Sequence, residues 1–255
     1  MPTGGDWTPF KNEATDFAQD SGSIPVSASN VLNHYVRVNG GFGGFRRAAG
    51  ESGGGGGALG GGGGSGTGGS KKHSAGISVA QSLGGFLSRV GEVGLSQALQ
   101  EEGLSHLVGR SASEVSGALL DEMAGPGSTL DNAAARLALA DVRDELLAGA
   151  ETFEDVETKL KQALDQSGLF LILAMFFGHY VFERFCRDFY EDWMKKIGES
   201  KAAQKLKEVK DYIESSLRAK LAGKKIGKIN WKSAAGVQLS DSVLKETLEV
   251  FAVTS

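Results

Sequence analysis

The sequence predicts an all-α protein: a helical bundle body preceded by a disordered N-terminal peptide and a Gly-rich linker. Apolar residues recur about every 3.6 positions in segment after segment beyond Ser74. Capping patterns and glycines separate these segments at helix-sized intervals. No run of strictly alternating apolar and polar residues marks a strand.

Four stretches follow from that reading. Residues 1–25 carry few apolar side chains beyond Trp7 and Phe10, too few to offset chain entropy, and are expected to be a flexible recognition peptide. Residues 26–39 read as a short helix with Val31, Tyr35 and Val38 on one side, ended by Gly40 and Gly41. Residues 40–73 read as a Gly-rich linker, with runs of glycine at 53–57 and 60–64. Residues 74–255 read as the helical domain.

Within that domain, Ile77, Val79, Leu83, Phe86, Leu87 and Val90 form a helical stripe. A short helix over 95–102 stops at Gly103. Ser111 and Glu114 have the spacing of a capping box, in which each side chain accepts from the other residue's orphan amide. That helix ends at Gly125-Pro126-Gly127, and Ser128–Asp131 starts the next, with Ala134, Leu137, Val142 and Leu146 on its apolar face. Thr152-Phe153-Glu154-Asp155 opens another. The most apolar stretch, 168–182, runs on into 183–197 with only Gly178 as a weak point. A Lys-rich amphipathic helix over 200–221 buries Leu206, Val209, Ile213, Leu217 and Leu221. Residues 223–238 read as turn or extended chain, and Ser240 as the cap of a last helix.

Composition excludes several classes. A net charge of −4 argues against a general polyanion binder. The single Cys186 rules out an internal disulfide and any multi-cysteine metal site, so no metal is expected. The opening Met1-Pro2-Thr3-Gly4-Gly5-Asp6 has neither a basic nor an apolar leader region, and a cytoplasmic setting is expected.

The candidate chemical groups are sparse. His179, Glu183, Arg187 and Glu191 recur four residues apart and read as an ion-pair ladder. Cys186 has no histidine in register and reads as a spectator thiol. Asp188, Glu191 and Asp192 read as a charged face, and His106 has no local partner. Gly64–Lys71 has the wrong order for a phosphate loop. The expectation is a protein without catalytic residues or cofactor. Two other readings stay open: membrane insertion of 168–182, and nucleic-acid binding through the basic stretch 201–232.

Several motifs in order resemble the QatB family of Qat anti-phage defence systems. They are Trp7-Thr8-Pro9-Phe10-Lys11 ahead of the Gly-rich stretch, Gly84-Gly85-Phe86-Leu87, and Gly94–Leu99. Gly103–Arg110, Leu119-Leu120-Asp121-Glu122, Gly127–Asp131 and Ala133–Arg136 continue the series. The resemblance implies a non-enzymatic scaffold working with an ATPase, a QueC-like enzyme and a TatD-like nuclease. It further implies a substrate role, the QueC-like partner attaching a 7-deazapurine to the N-terminal amine. Gly4 or Gly5 would be the modified terminus after cleavage. The residues themselves fit a captured peptide: Trp7, Pro9, Phe10 and Lys11 would bind the partner, with Trp7 as the aromatic anchor.

Overall fold

The computed structural model describes residues 6–21, 26–47 and 73–252. All the extended elements among them are helices: α1 (Trp7–Gln19), α2 (Ala28–Val38), α3 (Gly41–Arg46), α4 (Ala75–Val93), α5 (Leu95–Glu101) and α6 (Ala112–Ala124). They continue with α7 (Leu130–Leu146), α8 (Phe153–Gln166), α9 (Gly168–Ile197), α10 (Glu199–Leu221) and α11 (Ala234–Ala252). The all-α reading holds.

The centre of the fold is α9, 30 residues long. Every side chain from Phe170 to Phe182 is buried, and so are Phe185, Phe189 and Trp193 one turn apart further along. A helix apolar on all sides has to be covered on all sides. Helices α7 and α10 form its two most extensive contacts, and α4, α11, α8 and α1 complete the shell. Gly178 is where α10 comes closest: a Cβ there would sit 2.6 Å from Leu217 and 2.8 Å from Ile213. The missing side chain sets the helix–helix distance.

Local signals place the shorter helices. Ser27, Ser111 and Thr152 each close a capping box, with Asn30, Glu114 and Asp155 as the reciprocal partners. Ser74 caps α4, and a second acceptor serves the same end: the buried Asp131 carboxylate of α7 accepts from the Ala75 N–H at 2.8 Å. Tyr180 of α9 donates its hydroxyl to the other Asp131 oxygen. One carboxylate thus ties α4, α7 and α9 together, and its charge pushes the Tyr180 hydroxyl further up after burial has already done so.

Several expectations change. Residues 7–19, inside the stretch expected to be a flexible peptide, form α1, because Phe10, Ala14, Phe17 and Ala18 share one face and bury it on the body. Phe10, Ala14 and Phe17 are spaced four and three residues apart, with Ala18 beside them, a helical period that low overall hydrophobicity had hidden. The expected linker 40–73 begins later. Gly41–Arg46 is helical with Phe45 fully buried, and Arg47 pairs with His73 in an antiparallel bridge. The Ser74 N–H also donates to the Arg46 carbonyl at 2.9 Å. The glycine runs at 53–57 and 60–64 lie outside the described residues, but both ends of that segment are stitched together on the body. It therefore does not hold the N-terminal part away from the rest.

Two smaller corrections follow. Ser240 does not cap α11; the helix starts at Ala234 and Ser240 lies buried inside it. Leu137 is 54% exposed, because α7 turns Asp131, Ala134, Ala135, Ala138, Leu139 and Val142 inward instead.

Phe10→Ala tests the docking of α1. With Phe10 fully buried, urea denaturation should show a loss of about 3 kcal/mol or a separate early transition as α1 detaches. An undocked leader would show neither.

Candidate functional site

The N-terminal recognition residues can now be placed. Trp7 opens α1 with its ring 6.2 Å from that of Phe189 and 5.5 Å from that of Phe10. Phe10 points inward, 5.1 Å from both His34 and Phe189. Further along, Phe17 meets Trp193 at 5.9 Å, Glu13 pairs with His34 at 2.5 Å, and Asp20 accepts from Lys205 at 2.5 Å. Lys205 and Lys201 hold the Asp20 carboxyl below its usual range. Of the residues expected to meet a partner, Phe10 is spent on the protein's own core. Trp7 is half-buried, and of the four only Pro9 and Lys11 are exposed, with the Lys11 ammonium 5.9 Å from the Trp7 ring. Gly4 and Gly5 lie outside the described residues.

A second group of ionisable side chains gathers where α7, α9 and α10 meet. His179 of α9 is 2% exposed and faces Asp141 at 3.4 Å and Glu145 at 3.9 Å. Lys210 pairs with Asp141 at 2.8 Å, and Arg218 pairs with Glu145. Burial holds the His179 pKa below its ordinary value, with Lys210 adding to that, against the pull of Asp141, Glu214 and Glu183. Burial raises Glu183, and Asp141 beside it raises it further. The Cys186 thiol is pushed up in the same way, by burial first and Glu183 second.

This arrangement is a packed interhelical network. The thiol is held protonated and is a poor nucleophile. No cluster of three or more metal-ligating side chains occurs among the described residues. The expected four-residue ladder is broken up. His179 turns inward to α7, whereas Arg187 pairs with Asp188 at 2.9 Å and Glu191 lies 3.8 Å from Lys195. The missing sequence signal was the partner helix, since Asp141 and Glu145 stand 38 and 34 positions before His179.

The basic stretch 201–232 is largely neutralised. Lys201 and Lys205 pair with Asp20, Lys207 with Asp211, Lys210 with Asp141, Arg218 with Glu145, and Lys224 with Glu246. Lys220 donates to the Val250 carbonyl at 3.0 Å. Cations engaged this way offer no continuous track for phosphates. Helix α9 is long and apolar enough to cross a membrane by length and composition, but 78% of its most apolar window is buried inside the fold. Membrane insertion would require dismantling the core.

Two outcomes follow. Lowering the pH through the unfolded-state histidine value of 6.5 should destabilise the protein, because the unfolded chain gains a proton that buried His179 resists. Glu183 acts with the opposite sign, since its raised pKa favours the folded state at low pH, so the comparison must be made between variants. The stability loss on acidification, measured by denaturation between about pH 7 and pH 5, should be smaller in His179→Leu. A mobility-shift assay with single-stranded DNA at about 150 mM salt should show no complex.

A family model described as "Qat anti-phage system associated protein QatB" matches residues 63–251. No curated protein matches the chain, and no solved structure does.

Proposed function

Because the chain belongs to the QatB family and is therefore a component of a Qat anti-phage defence system, we propose that it serves that system as a protein substrate and scaffold, without catalysis of its own. It acts in the cytoplasm beside a QueC-like enzyme, an ATPase and a TatD-like nuclease. The QueC-like enzyme takes the residues ahead of α1; the carboxylate of a 7-deazapurine, activated by ATP as its acyl adenylate, is attacked by the terminal amine of Gly4 or Gly5 exposed by cleavage, so that an amide bond forms and AMP leaves.

One observation carries this reading beyond family membership. Helix α1 begins at Trp7, only two positions after Gly5, and is fixed to the body by Trp7 and Phe10 against Phe189. The chain that follows the acceptor is thus a helix docked on the body. An enzyme reaching it must rest on the surface around the start of α1. There Pro9, Lys11 and the open part of Trp7 are available to it, while Phe10 supports them from inside. Glycine at the acceptor leaves room for close backbone approach in a cleft.

Intact-mass analysis of the protein co-expressed with its system neighbours is the test. The expected result is a shortened chain carrying the mass of the added base. Lys11→Glu, which is exposed and leaves the core alone, should lower the modified fraction several-fold. An unaltered N-terminus in cells with working defence would overturn the substrate role.

A further inference from the structure

At the opposite end of the body lies a groove that the N-terminal reading does not use. Its position follows from the packing of α4 against α9. Gly76 near the start of α4 lies against Tyr180, and Gly91 near its end lies against Leu164, just before α9 begins. The groove follows the later half of α4, with α6 and the end of α5 as its far wall. Residues 229–232, between α10 and α11, close it. Trp7 instead packs on Phe189, about 30 Å further along α9 at 1.5 Å per residue.

The cavity holds about 490 Å³, enough for a few side chains of a bound segment. Its floor is apolar: Phe86, Leu119, Met123 and Trp231. Trp231 is fixed from behind. Its ring lies where a Cβ on Gly84 would approach within 2.3 Å, and its carbonyl accepts from Gln81 at 2.5 Å. The Trp231 indole N–H is buried and has no acceptor among the described residues.

The rim is acidic. Glu92, Glu101, Glu102 and Glu122 face it, against Arg89 and Lys232. The single Arg89 guanidinium is shared between Glu92 at 2.7 Å and Glu101 at 2.5 Å, and it holds the Glu101 carboxyl below its usual range, so that carboxylate stays ionised. Lys232 lies 3.3 Å from Glu102, and Glu122 is exposed with no ion-pair partner among the described residues. Lys228 comes within 3.9 Å of Glu92, so four carboxylates stand against three cations and the surplus is one negative charge, at Glu122.

We propose that this groove docks a segment of a partner protein in which an apolar side chain is flanked by lysine or arginine. The apolar residue would fill the space above Phe86, Met123 and Trp231, and the cation would meet Glu122 and Glu102 at the rim. Apolar burial supplies the affinity and the acidic rim supplies the selection of sign. Acidic segments and nucleic acids are repelled by the same rim. The proposal is independent of any N-terminal modification, and it places a second partner contact far from the first.

The test uses the full chain labelled with nitrogen-15, whose indole N–H signals from Trp7, Trp193 and Trp231 are assigned with Trp7→Phe and Trp231→Phe. The probes are two synthetic decapeptides, one alternating Leu and Lys and the other alternating Leu and Glu. The Leu–Lys peptide should move the Trp231 signal saturably and leave Trp193 in place, while the Leu–Glu peptide should not. The double variant Glu102→Lys/Glu122→Lys should weaken the response about tenfold while the Trp193 signal keeps its position, which reports an intact core; Glu122 is exposed, and Glu102 is half-buried beside Lys232. A Trp231 signal that ignores the Leu–Lys peptide at millimolar concentration would overturn the proposal. An equal response to both peptides, or an unchanged affinity in the double variant, would do the same. None of these readings depends on the mass of the N-terminus, so the two proposals fail separately.

Discussion

The burial of α9 organises everything else. A helix of 30 residues spans about 45 Å, and over its first half no face is polar enough to meet water. The other helices are arranged by the need to cover it. Where α10 crosses, Gly178 removes the side chain that would hold the backbones apart. Where the aromatic ridge Phe185–Phe189–Trp193 emerges, α1 and α2 lie over it with Phe10, Phe17 and Tyr35. The N-terminal segment is therefore part of the core's solution and not an appendage. Without it, three large aromatic side chains would face water, at a cost of about 2 kcal/mol or more each.

Polar groups inside this shell are few, and they join helices to one another. Asp131 serves α4 through a backbone amide and α9 through a tyrosine hydroxyl. Asp141 and Glu145 reach from α7 to α10 through Lys210 and Arg218, with His179 between them. Asp131 is buried and expensive to leave alone, whereas the Asp141–Lys210 and Glu145–Arg218 pairs lie nearer the surface and act mainly as registers between elements.

The fold class, most helix boundaries and the Ser111–Glu114 capping box were legible in the sequence, because each depends on residues within a turn or two of one another. The burial of Leu206, Val209, Ile213, Leu217 and Leu221 was legible for the same reason. What escaped was long-range. Phe10 and Phe17 look like stray aromatics in a polar stretch until the ridge on α9, nearly 180 residues later, supplies their partner. The lysines of 201–232 look like a phosphate track until Asp20, Asp141 and Glu246 are brought beside them. Trp231 looks like an isolated aromatic until Gly84 gives it a bed.

The bridge between Arg47 and His73 changes what the glycine-rich segment means for the chain's history. Because its two ends leave the body at one point, its length is nearly decoupled from the geometry of the helices. Doubling such a segment costs only about 0.6 kcal/mol of closure entropy, so residues can be gained or lost there without moving α3 or α4. Relatives should differ most in length at this place. A break in the chain there would leave two pieces with a large complementary interface, able to find each other again as a noncovalent pair.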